Sequence, residues 1–252
     1  MELTGYLLIA LASIGAGAIN AAAGGGTLIT FPAMLAAGMS PLAANITSAI
    51  GLLTGSLGGA VSFRRELALQ RRRFLANAPW AAGGAILGAI LLLNTPGDAF
   101  TAIVPWLVLA AAALFAVQPL VARWLGRTAA HDSQTTGGWP MHLAFVGIGA
   151  YGAYFGAGIG VMMLAGLGLL VHDSIQHHSA LKNIMAVVIN GTGALILVFS
   201  PLVHWGVAAI MLVGALVGGL AGGWLARRVP GWLLRSVVVT IAVVVGVTML
   251  LG

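Results

Sequence analysis

The residues best equipped for chemistry in this chain stand inside stretches that are otherwise apolar. Asn20, Asn45, Asn183 and Asn190 carry amide N–H donors, Thr27, Thr47, Ser48 and Tyr154 carry hydroxyls, and Lys182 is the single lysine. Donors without matching carboxylates suit the binding of a small anion. A charge at the centre of a bilayer costs roughly 2.5–3.5 kcal/mol on insertion scales, so a lysine there is expected to face the protein interior and to have a use. Lys182 lies a few residues from a helix end, and a lysine so placed can also extend its head to the interface. Amides in membrane helices serve equally as bridges between helices. On this weighing Asn20 and Asn183 are the stronger substrate contacts, Asn45 the weaker, and Asn190 mainly joins helices.

Glycines break the apolar runs beside these residues. Gly24, Gly25 and Gly26 are consecutive within INAAAGGGTLITFP, and Gly156, Gly158 and Gly160 recur within GAGIG. Glycine is a poor helix former, and an exposed backbone group in hydrocarbon costs several kcal/mol unless protein satisfies it. A break at membrane depth therefore belongs where protein encloses it or where it lines a cavity. A helix resuming at Thr27 and another at Val161 would each present unpaired N–H groups and about half a positive charge. Two such starts near the midplane make an anion site. Close helix packing is the other use of glycine in membranes, and it accounts for segments such as GALVGG, Gly214 to Gly219.

The elements that must position these groups are transmembrane helices. Of the 252 residues, 60% are hydrophobic and 6% are charged, and mean hydropathy is +1.05, which no soluble globular domain matches. Apolar runs near the ~20 residues needed to span a bilayer recur along the chain. The fold class expected is an all-α polytopic membrane protein. One long broken segment covers residues 3–38, followed by helices over 41–63, 74–93 and 99–122. A second broken segment covers 139–171, followed by helices over 176–199, 203–226 and 231–251. Residues 1–128 and 129–252 thus form two repeats of one integral membrane domain. The halves rhyme: AANITSAI in the first corresponds to SALKNIMA in the second. Internal duplication with breaks at corresponding positions is the sequence mark of a transporter's binding site.

Arginine placement selects a topology. All ten arginines lie between apolar runs, at 64, 65, 71–73, 123, 127, 227, 228 and 235. If each broken segment is a re-entrant hairpin, six helices cross, all ten share one face, and the halves are inverted relative to each other. If each broken segment crosses, the last three arginines fall on the opposite face. The positive-inside rule favours the hairpins, with the arginine-rich loops cytoplasmic and both termini outside the cell's inner membrane.

No cysteine is present, so disulfides and thiol chemistry are excluded. The net charge of +6 comes from these short loops, so it implies no nucleic-acid partner. No cofactor or metal is expected. The HDSIQHH segment, His172 to His178, could relay protons or hold a metal, but reads more simply as a solvated loop, as does RRELALQRRR, Arg64 to Arg73. No catalytic constellation is apparent, since Asp173 stands alone at a helix end, so an enzyme is not expected.

With these motifs in hand, the chain resembles the TauE/SafE family of sulfite exporters and anion permeases, also called the 4-toluene sulfonate uptake permeases. The resemblance runs through INAAAGGGTLITFPAMLAAGMSPLAANITSAI, YGAYFGAGIGVMMLAGLGLL, HHSALKNIMAVVIN and the last two helices. It implies export or import of a small sulfur oxyanion such as sulfite or an organosulfonate, and an exporter is the expectation for this chain. It places Asn20, Gly24, Gly25, Gly26, Thr47, Ser48, Lys182 and Asn183 at the family's recurrent polar and glycine positions. Many relatives have Asn-Ala-Thr where this chain has Asn45-Ile46-Thr47, which changes no polar group. A passive anion channel of the same architecture is the alternative. The lipid bilayer is the surrounding partner, and a homodimer is common among such carriers.

Overall fold

A computed structural model describes residues 2–251 apart from residues 23, 63, 128–137, 172 and 229–230. His172 and the boundary expected between residues 128 and 129 therefore lie outside the described residues. Every regular element described is helical: α1 (Leu3–Ala22), α2 (Thr27–Ala36), α3 (Pro41–Gly51), α4 (Leu53–Ser62), α5 (Arg64–Ala68), α6 (Arg71–Asn94), α7 (Gly97–Arg127), α8 (Gly138–Tyr154), α9 (Ile159–Leu170), α10 (Ile175–Leu197), α11 (Trp205–Arg228) and α12 (Gly231–Leu251). The segments Leu3–Ala21, Arg71–Asn94, Gly97–Val121 and Gln176–Leu197 are each long and apolar enough to cross a membrane. Helices α11 and α12 run for 24 and 21 residues. Leucines such as Leu87, Leu91 and Leu195 point outward and exposed along these helices, a surface suited to lipid and not to water. The chain is a multi-pass membrane protein.

Small residues set the closest helix contacts. Helix α1 packs along α11, where Gly17 meets the backbone of Ala215 and Gly218 meets the backbone of Ile14. Helix α6 packs along α8 in the same way, with Gly84 on Val146 and Gly88 on Ala150. Without a side chain at these positions the backbones approach directly, which is how helices associate when lipid is as apolar as leucine. Each contact joins a helix of residues 1–128 to one of the later residues.

In each broken segment the two helices pack against each other. Gly26 lies against the backbone of Ala16, so α2 starts beside the middle of α1. Gly152 lies against Ile159 and Gly166 against Ile148, so α8 and α9 are antiparallel. Both ends of this second hairpin lie beside the first half of α6: the rings of Trp139 and Trp80 are 5.4 Å apart, and Asp173 is 2.8 Å from Arg73. Its tip lies at the other end of α6, where the Tyr154 hydroxyl is 3.4 Å from that of Thr95. Helices α4 and α11 run parallel, with Gly51 beside Met211, Gly55 beside Ala215 and Gly58 beside Gly219.

One plain helix of the sequence reading is not plain. Residues 41–63 divide into α3 and α4 at a turn on Leu52, whose N–H still reaches the Ser48 carbonyl at 3.0 Å. Gly51 and Gly55 flank this turn, and lack of a side chain lets the backbone leave the helical path there.

Candidate functional site: a cleft between the two helix breaks

The two breaks meet. Gly24 has φ of 79°, and a Cβ built on it would stand 2.6 Å from Cα of Gly160. No other residue satisfies both the left-handed backbone and this approach. Gly158, at φ of 79°, forms the cap from which α9 starts. Tyr151 donates its hydroxyl to the Ala157 carbonyl at 2.8 Å, tying the second break to α8. Phe31 of α2 and Phe155 stack edge to face at 5.8 Å, so the helices after and before the breaks also touch.

A cleft opens beside this meeting point. Its polar lining is Asn20 and Thr27 from the first break, Asn45 and Ser48 from α3, Tyr154 before the second break, and Asn190 from α10. Leu52, Phe155 and Ile159 complete much of its apolar wall. No charged side chain is among the lining residues. Hydrogen bonds hold the lining in place. Asn45 donates to the Tyr154 carbonyl at 2.8 Å, which joins α3 to the end of α8. The Thr30 and Ser48 hydroxyls are 3.0 Å apart. The carbonyl oxygen of the Asn20 side chain accepts the Gly26 N–H at 3.4 Å, at the start of α2. Both Asn20 and Asn190 donate to the Ser56 hydroxyl, at 3.3 Å and 3.1 Å.

Gly156 also lines the cleft, and the other residues singled out by sequence lie around it. Gly25 packs against the Phe115 ring and Gly26 against Ala16, so the close-packing use of glycine is realised at both. Thr47 is buried and accepts the His204 N–H at 3.2 Å. Lys182 is 1% exposed, so its side chain is enclosed by protein and does not extend to an interface. Asn183 is also buried, and its Nδ2 has no hydrogen-bond partner among the described residues. Asn190, read from sequence as a joint between helices, has both roles, since it bridges to Ser56 and lines the cleft. Ser56 and Leu52 were not anticipated. The spacing 45, 48, 52, 56 follows one helix face in steps of three and four, and that pattern was the available signal.

A second polar centre lies at the arginine-bearing end of the fold, and it corrects two expectations. RRELALQRRR is not simply a solvated loop: it forms α5 and the start of α6, and Gln70 and Arg73 are buried. Asp173 does not stand alone. It pairs with Arg73 at 2.8 Å and with His177 Nδ1 at 2.7 Å, and accepts the Ser174 N–H at 2.8 Å. Gln70 accepts from Arg73 at 2.7 Å and donates to the His177 carbonyl at 2.6 Å. HDSIQHH is thus partly a buried joint between α6 and α10, with Asp173 and His178 enclosed. Burial pushes the Asp173 carboxyl upward, but the hydrogen bonds from Arg73, His177 and the Ser174 N–H outweigh it and hold the group below its ordinary 3.8. Among the described residues no group of three or more His, Asp or Glu side chains converges as a metal site.

Comparison with known proteins finds membrane transporters. The sulfite exporter TauE/SafE family matches residues 9–249. The probable membrane transporter protein ORF9 of Sinorhizobium sp is 30% identical over 93% of this chain and 88% of that protein. The probable membrane transporter protein YfcA of Escherichia coli (strain K12) is 27% identical over 93% of this chain and 86% of its own. A probable membrane transporter protein of Haemophilus influenzae is 26% identical over 88% of this chain and 85% of its own. No solved structure matches the chain.

Proposed function

The chain belongs to the sulfite exporter TauE/SafE family, and from that premise we propose that it is a secondary transporter, working as an exporter, of a small anion such as sulfite or an organosulfonate. The anion occupies the cleft between the two helix breaks, and one repeat moves against the other to open it to each side in turn. The observation that carries this reading is the meeting of Gly24 with Gly160 beside a lining of uncharged donors drawn from both halves. Helix starts supply partial positive charge to an anion without a fixed cation. A single negative charge moving outward is favoured by about 2.3 kcal/mol per 100 mV, inside negative, so export needs no second driving ion.

We further read the two halves as inverted repeats, each a re-entrant hairpin and three crossing helices. The parallel course of α4 and α11 supports this reading, because the connecting helices give that direction only if the α8–α9 segment returns to its own side. So does the exchange of partners, in which the first helix of each half packs on the other half. The arginine-rich loops are then cytoplasmic and both termini outside.

The test is sulfite release from proteoliposomes loaded with sulfite, with counterflow of labelled against unlabelled substrate. A carrier gives counterflow, and a channel of the same architecture gives flux without it. Lys182→Ala is run in parallel. Loss of flux in a folded variant makes Lys182 part of the anion path, and unchanged flux leaves the cleft to act without it.

A further inference from the structure

We infer that Ser56 is the positioning residue of the cleft: its hydroxyl oxygen orients the Asn20 and Asn190 amides so that both present N–H groups, and not oxygens, to the anion. The inference rests on the reading of the cleft as the substrate site. Ser56 is 3% exposed, lies behind the cleft on α4, and touches a lining residue from each half. Its Oγ accepts from Asn20 Nδ2 and from Asn190 Nδ2. The two amide N–H groups fill both acceptor positions of this oxygen, which turns each amide nitrogen toward Ser56. Asn20 is defined a second time, because its oxygen is taken by the Gly26 N–H at 3.4 Å. Each side-chain amide carries two N–H groups, so one remains on Asn20 and one on Asn190 for the cleft they line.

The consequence is chemical. Without the Ser56 oxygen, an amide can turn and offer its own oxygen, which repels an anion and accepts from a neutral donor. Ser56 therefore sets affinity and sign preference without touching the solute.

The experiment measures KM and kcat for sulfite release from proteoliposomes, with methanesulfonate as competitor. Ser56→Ala is expected to raise KM roughly tenfold, the factor that one net hydrogen bond of about 1.4 kcal/mol supplies, with kcat changed less than twofold. Ser56→Thr keeps the oxygen and is expected to restore KM. Thr54→Val is the structural control, since Thr54 on the same helix donates to the Leu212 carbonyl at 2.6 Å and does not line the cleft. It should lower thermal stability and leave KM unchanged. If Ser56→Ala does not fold, Ser56→Cys, close in size and a weak acceptor, takes its place with the same expected rise. An unchanged KM in a folded Ser56 variant overturns the inference while the cleft reading stands. Equal loss in Ser56→Ala and Ser56→Thr, confined to kcat, also overturns it. If the wild type moves none of the anions, the cleft reading falls and the role of Ser56 with it.

Discussion

The central cleft and the Arg73–Asp173–His177 centre are both polar, both enclosed by protein, and both built from the two halves of the chain. They differ in what they leave over. At the arginine-bearing end, Asp173 takes hydrogen bonds from Arg73, His177 and the Ser174 N–H, and Arg73 is also bound to Gln70. The charges are balanced against each other, so the centre has little to offer a solute and acts as a joint. In the cleft no side chain is charged, and Asn20 and Asn190 spend one amide N–H each on Ser56. A neutral lining with donors in reserve can bind an anion and release it. The Arg73–Asp173 charge pair thus joins the halves, whereas the amides of Asn20 and Asn190 line an uncharged cleft.

The largest expected effect breaks the joint. Asp173→Ala leaves Arg73 buried without its carboxylate, and removal of one partner from a buried pair costs about 3–5 kcal/mol. Thermal unfolding in detergent should register this as a large loss of stability. The same centre predicts a pH dependence of definite sign. The folded Asp173 carboxyl lies below its ordinary 3.8, so its contribution is full above that value and is lost as pH falls through the lowered folded one. In a stability series across acid pH, wild type should lose this increment and Asp173→Asn should have none to lose. Equal acid sensitivity in the two proteins would sink the assignment.

The next effect is at the meeting of the breaks. Gly24→Ala requires a left-handed alanine and a Cβ 2.6 Å from Gly160 Cα, and the strain alone is about 1–3 kcal/mol. Because the breaks must separate to relieve the clash, transport should be lost more completely than stability. Gly15→Ala is the comparison. Nothing lies within 4 Å of its Cβ, so sulfite flux should stay at the wild-type value and stability should be held or slightly raised by the better helix former.

A smaller effect sharpens the difference between cleft and joint. Asn45→Ala removes the donor to the Tyr154 carbonyl and should cost about 1–2 kcal/mol together with weaker sulfite binding. His177→Ala, on the half-open side of the joint, should cost about 1 kcal/mol and leave sulfite KM unchanged. A shift in KM for His177→Ala as large as that for Asn45→Ala would erase the distinction drawn between the two centres.

Much of this molecule was legible in residue order. Apolar run length decides that helices cross a bilayer, because hydrocarbon thickness and helix rise are both constant. The glycine breaks in the first and second halves were readable because glycine in an apolar run costs stability, so its clustering at INAAAGGG and GAGIG needs a reason. Asn20, Asn45 and Ser48 were visible as polar residues in apolar surroundings, and they line the cleft.

What the tertiary structure alone decided is which polar residues meet. Asn190 and Lys182 look alike in sequence, each a polar residue in α10, yet only Asn190 reaches the cleft. Asp173 looked isolated because its partner, Arg73, is one hundred residues away. The turn at Leu52 was hidden because isolated glycines such as Gly51 and Gly55 are common in membrane helices, and only packing on α11 shows what they serve. Local sequence carries the cost of placing a polar or helix-breaking residue in lipid. It carries no record of the distant group that compensates that cost, because hydrogen bonds and ion pairs are satisfied across the fold and not along the chain.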